Sequence, residues 1–199
     1  LFTLLILVVI ILGFFTIASK GSYISIINIR NILNAMVLYT LLAIAEGMLI
    51  ISGEIDLSPG YVGTTCGVFL AVILESTGIP WFIVLIMCFI LGIAFGLINA
   101  VLVNELGFQS FIATLATGSF VAKGLTYVIA NGKTVPIKDP VILFVGTHKF
   151  FNLIPVAILI SLVAILIYGI ILAKTKFGRS VYLSGGNRNA ARLAGINPK

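Results

Sequence analysis

Long apolar stretches alternate with short polar ones along this chain, and the lengths of the apolar stretches set the first expectation. A helix needs about twenty mostly apolar residues to cross the hydrocarbon core of a bilayer. Stretches of that order occupy residues 1–18, 32–51, 59–75, 81–103, 109–130 and 152–173. The pattern predicts an all-α polytopic membrane protein with six spans packed as one bundle over 1–173, followed by a polar tail over 174–199. Lys20 to Asn31 reads as a loop or interfacial piece, and residues 132–151, with Pro136 and Pro140, read as a loop.

The first apolar run has no basic leader and is longer than the apolar core of a secretory signal, so it reads as a membrane helix. Because it opens on Leu1 rather than Met, the chain is expected to be a fragment, trimmed at both ends, with its membrane domain incomplete. Gly63 and Gly67 in the third span, and Gly92, Gly96 and Ala100 in the fourth, recur at the spacing that lets another helix approach closely. Trp81 stands where an interfacial anchor belongs.

Composition agrees with the pattern. The chain is 60% hydrophobic and 9% charged, which excludes an ordinary soluble domain of this length. The net charge of +6 does not signal nucleic acid, since half of the basic residues lie in the tail and the rest near predicted helix ends. Cys66 and Cys88 fall inside apolar segments and imply neither a disulfide framework nor a metal site, and His148 is the only histidine. Asn131-Gly132-Lys133-Thr134 imitates the end of a phosphate-binding loop, but Tyr127 stands where its first glycine must be and a membrane helix precedes it. No nucleophile and base pair supports a membrane enzyme.

Three ionisable residues fall in or beside spans: Glu46, Asp56 and Lys123. Such groups face the protein interior or water, or mark a functional path. Glu46 is either wet at the interface or functional; Lys123 either snorkels towards its helix end or pairs with a carboxylate such as Glu46 or Asp56. Between the second and third spans, Ser52-Gly53-Glu54-Ile55-Asp56-Leu57-Ser58-Pro59-Gly60 sets glycines around two carboxylates, and Ser58-Pro59 can open a helix. This describes a break in the membrane helices. Asp56 either accepts hydrogen bonds locally as a turn residue or contributes to a solute path.

The tail carries six basic residues, Lys174, Lys176, Arg179, Arg188, Arg192 and Lys199, and no acidic one. Gly185-Gly186 is expected to break what precedes, Asn187 or Asn189 to cap a helix of about two turns, and Gly195 to stop it, with Pro198 beyond. Arg188 and Arg192 would share one face, with Ala190, Ala191 and Ala194 forming a smoother one. A basic juxtamembrane tail that binds anionic membrane lipid is the plainer alternative.

These motifs carry a resemblance. GRSVYLSGGNRNAARLAGI resembles the cytoplasmic loop of permease subunits from ATP-driven sugar importers of the ribose and xylose type, with G-R-x-x-Y, G-G-N and A-A-R-L-x-G-I in order. Asn189-Ala190-Ala191 to Gly195 has the spacing of the E-A-A-x-x-x-G signature, with Asn189 in the place of its Glu. Gly53, Ile55, Asp56, Leu57, Ser58 and Gly60 match G-x-I-D-L-S-x-G, and Gln109 to Leu115 resembles Q-x-F-I-A-T-L, with Lys123-Gly124 following.

The resemblance implies that Arg179, Gly185, Gly186, Asn187, Asn189, Ala190, Ala191, Arg192 and Gly195 couple to a cytoplasmic ABC ATPase. It also implies that Gly53, Glu54, Asp56, Ser58, Gln109, Thr114 and Lys123 belong to the translocation path or its gate. Nothing carries over to Glu46. The implied partners are that ATPase, an extracytoplasmic sugar-binding protein, a second permease copy and membrane lipid. The implied activity is import of a monosaccharide across the cell membrane, with ATP held by the partner subunit and no cofactor bound by this chain. The alternative is an ion-coupled transporter or channel using Glu46, Asp56 and Lys123.

Overall fold

The computed structural model describes residues 2–196, apart from the side chain of Arg188. Leu1, Pro198, Lys199 and the Arg188 side chain, which enter the expectations above, lie outside the described residues. The helices are α1 (Phe2–Ala18), α2 (Ile26–Ser52), α3 (Pro59–Thr77), α4 (Trp81–Ala100), α5 (Ser110–Ala116), α6 (Lys123–Ala130), α7 (Pro140–Thr147), α8 (Ala157–Lys174), α9 (Lys176–Gly186) and α10 (Arg188–Leu193). Wide π-helical turns continue α4 through Val101–Glu105 and join α5 to α6 through Thr117–Ala122. Strands β1 (Lys149–Phe150) and β2 (Ile154–Pro155) form a small antiparallel pair.

Among the described residues, five helical stretches are long and apolar enough to cross a bilayer: Ile26–Ser52, Pro59–Thr77, Trp81–Glu105, Ser110–Ala130 and Ala157–Lys174. The first predicted span is a shorter apolar helix, the 17 residues of α1. The protein is an all-α, multi-pass membrane protein.

Three expected element bounds need correction, each for a local reason. The second span begins at Ile26 rather than near residue 32, because the Ser25 hydroxyl accepts from the Asn28 N–H at 3.4 Å and the Asn28 amide ties back to the Tyr23 carbonyl at 2.6 Å. Residues 132–151 are not only a loop: Asp139 caps α7 by accepting from the Val141 and Ile142 N–H groups, both at 3.0 Å. The last span starts at Ala157 rather than near residue 152, since Phe151 and Asn152 have positive φ and turn the chain between β1 and β2.

Helix α3 packs against α4 and α6, and α2 packs against α8 and α9. Without water, hydroxyls and small residues hold such interfaces. The Thr65 hydroxyl lies 2.9 Å from both the Ala122 carbonyl and the Thr126 hydroxyl, joining α3 to α6. Gly47 brings α2 against Tyr168 of α8, whose hydroxyl would stand 2.6 Å from a Cβ at that position. The expected glycine stripes are different: a Cβ at Gly63, Gly67, Gly92 or Gly96 would meet nothing within 4 Å. At those positions the glycine makes no room for a closely approaching helix among the described residues.

The connection after α6 is tied to the end of α3. The Lys138 backbone N–H and ammonium donate to the two oxygens of Glu75 at 3.0 and 2.6 Å. His148 stacks on Phe144, ring centroids 4.5 Å apart, beside β1.

Candidate functional site

The break between α2 and α3 is built so that its backbone donors are satisfied without water. Gly53 takes a left-handed conformation, φ 86°, that ends α2, and its N–H donates to the Ile50 carbonyl at 3.1 Å. The Glu54 N–H donates to Leu49 at 2.8 Å. Beyond these, side chains take over. The Ile55 N–H donates to the Ser110 hydroxyl at 3.4 Å, the Leu57 N–H to the Thr114 hydroxyl at 3.0 Å, and the Ser58 N–H to Asp56 Oδ1 at 2.7 Å. The Asp56 N–H lies 3.1 and 3.3 Å from the two Glu46 oxygens. Pro59 has no N–H to satisfy and opens α3. Non-helical backbone at membrane depth is tolerated only with such partners.

A buried polar chain continues inward from the break. The Asn99 amide donates to the Ser58 hydroxyl at 2.9 Å, and its carbonyl oxygen accepts from the Thr117 hydroxyl at 2.6 Å. The Thr114 carbonyl, 3.1 Å from the same Thr117 hydroxyl, is an alternative acceptor for it, and Thr114 leads back to Leu57. Ser58, Asn99, Thr114 and Thr117 are all buried. Gly118 makes room for this approach, because a Cβ there would stand 2.7 Å from the Tyr61 ring and 3.1 Å from Ser58 Cα. Asn99, Thr117 and Ser110 were not singled out in the sequence. Their signal was available, as polar residues in otherwise apolar spans.

The tail folds back against this break. A helix missed in the sequence, α9, starts at Thr175, whose hydroxyl accepts from the Gly178 N–H at 3.1 Å. It ends at Gly185-Gly186, its last residues, where the break is expected. Asn187 then caps α10, with Oδ1 accepting from the Asn189 and Ala190 N–H groups at 2.9 and 3.0 Å. Gly195, φ 77°, provides the left-handed stop. A cleft of about 870 Å³ lies between the break, the ends of α4 and α5, and α9 with α10, and Glu54, Asp56, Asn99, Thr114 and Arg192 are among its lining residues.

The predicted residues thus divide. Glu54, Asp56, Thr114, Arg192 and Gly195 line one cleft, with Gly53 and Ser58 in the adjoining break. Gln109 stands just before α5, where its carbonyl accepts from the Ile112 and Ala113 N–H groups at 3.0 Å. Lys123 is exposed and pairs with neither Glu46 nor Asp56. Ala191 is 0% exposed and faces the protein, whereas Ala190 and Ala194 are exposed, so the alanine face is split; Asn189 and Arg192 are exposed, as is Arg179 on α9. The outward apolar residue on α10 is Leu193, 92% exposed.

Residues 28–199 match the family described as branched-chain amino acid transport system / permease component, and the chain belongs to that family. Among individual proteins, it is 36% identical over 163 residues to the L-arabinose transport system permease protein of Escherichia coli, covering 77% of this chain and 46% of that protein. It is 32% identical to the fructose import permease protein of Bifidobacterium longum, over 90% of this chain and 55% of that one. It is 34% identical to the ribose import permease protein of Haemophilus influenzae, over 88% and 54%. The chain spans about half the length of the curated relatives it matches. No solved structure matches.

Proposed function

We propose that the chain is part of the membrane subunit of an ATP-driven importer that moves a monosaccharide across the cell membrane. The relatives are named for arabinose, fructose and ribose, which favours a simple sugar over the amino acids of the family description. The ATP would be hydrolysed on a partner subunit, and a sugar-binding protein and a second permease would complete the assembly. The tail and the cleft beside it would face the cytoplasm.

The observation that carries this reading is α10 with its outward Leu193, seated directly beside the polar cleft and the broken segment. A short, capped helix that presents a large apolar residue to water is suited to a protein partner, and the same helix borders the place where a solute would leave. The ion-coupled alternative has no comparable support, since Glu46 and Asp56 both accept backbone N–H bonds and Lys123 pairs with neither.

Co-purification of the full-length permease with its ATPase tests the reading. Burying a leucine contributes about 1.5–3 kcal/mol, so Leu193→Asp should weaken ATPase capture by at least about tenfold while leaving the permease in the membrane. Undiminished capture would show that α10 is not the docking element.

A further inference from the structure

We infer that α9 is a rigid crossbar that ties α10 to the end of α2, so that force on α10 reaches the break at residues 53–58 through Gly185. This rests on the proposal that α10 meets an ATPase, and it assigns a positioning role to a contact between helices.

Two glycines fix α9 at its two ends. At the first, a Cβ on Gly178 would fall on the carbonyl oxygens of Ile171 and Leu172, at the end of α8. That contact is local and sets the angle between consecutive helices. The second joins elements far apart in sequence: a Cβ on Gly185 would fall on the carbonyl oxygen of Ile51 and lie 3.1 Å from Ser52 Cα. The last carbonyls of a helix lack intrahelical donors, and here that exposed backbone is where α9 bears on α2. Glycine inside a helix costs roughly 0.5–1 kcal/mol relative to alanine. At Gly185 the reason for it is steric.

The placement matters because of what adjoins it on both sides. Ile51 and Ser52 end α2, and Gly53 begins the segment held by Glu46, Ser110 and Thr114. On the other side, a single extended residue, Asn187 (φ −160°, ψ 106°), separates Gly185-Gly186 from α10 and caps it. Backbone against backbone leaves no flexible side chain to absorb a displacement. A shift of α10 that carries α9 must therefore move the α2 terminus and the break, or open the contact.

The test uses the full-length permease with its ATPase and sugar-binding protein in proteoliposomes. Gly185→Ala is compared with Gly169→Ala, a helical glycine on α8 with open space around its Cβ position. Gly185→Ala should still capture the ATPase but lower sugar uptake per ATP hydrolysed by about fivefold or more, the low end of ordinary coupling free energies, while Gly169→Ala keeps the wild-type ratio. A wild-type ratio in Gly185→Ala overturns the crossbar; failure of the wild-type protein to capture an ATPase overturns the docking reading and the crossbar with it. If Gly185→Ala does not assemble, Ser52→Cys in a chain with Cys66 and Cys88 replaced by Ala decides. Its labelling by a water-soluble maleimide should change severalfold when the ATPase is added, and an unchanged rate overturns the crossbar.

Discussion

Asn99→Leu removes a side chain that links the break to two helical segments at once. Its amide donates to Ser58 at 2.9 Å and its carbonyl accepts from Thr117 at 2.6 Å. The two ends respond differently. Thr117 keeps a second acceptor, the Thr114 carbonyl at 3.1 Å, whereas the buried Ser58 hydroxyl loses the Asn99 amide. Hydrogen bonds between membrane helices average about 0.6 kcal/mol and reach about 1.7. With Thr117 turning to its other acceptor, the loss falls on the Ser58 link, about 0.6–1.7 kcal/mol, or roughly 3- to 20-fold in the unfolding equilibrium. Leucine is close in size, so the loss measures the polar links rather than a cavity. Reversible unfolding of the permease in mixed micelles reads the stability, and maleimide labelling of Ser52→Cys reads whether the break has loosened. A variant as stable as wild type, with labelling unchanged, would refute the claim that this network holds the break.

Two further substitutions separate structure from charge. Glu46→Ala strips the acceptor from the part-buried Asp56 N–H and should cost about 0.5–1.5 kcal/mol, the ordinary net contribution of a hydrogen bond, while Glu46→Gln keeps an acceptor and most of the stability; equal losses in unfolding assays would sink this assignment. Asp56→Asn retains an oxygen for the Ser58 N–H, so stability should stay within about 0.5 kcal/mol while uptake falls, because the charge lines the cleft. Normal uptake by Asp56→Asn would make the aspartate a turn residue and nothing more.

The membrane character of this chain was legible because hydropathy over a span is a sum, insensitive to detail. The break was legible too, since Gly53 and Pro59 act through backbone rules that hold in any context. The partners of that break were not. Glu46, Ser110, Thr114 and Asn99 reach it only because several helices converge, which periodicity does not encode. Helix α9 was hidden for a local reason: its glycines and serines favour turns, yet Gly178 and Gly185 are required by close backbone approach. The inward turn of Ala191 and the outward one of Leu193 follow from how α10 is seated, which the motif that places Ala191 among the coupling residues does not encode.

Sugar uptake into proteoliposomes holding the full-length permease and its ATPase, energised either by internal or external ATP or by an imposed proton gradient, tests the central claim most directly. ATP on the side of the ATPase should drive accumulation of a pentose or hexose supplied with its binding protein, and dissipating the proton gradient should leave the rate unchanged. Accumulation that follows the proton gradient and persists without ATP would contradict an ATP-driven importer and return Glu46, Asp56 and Lys123 to consideration as ion sites.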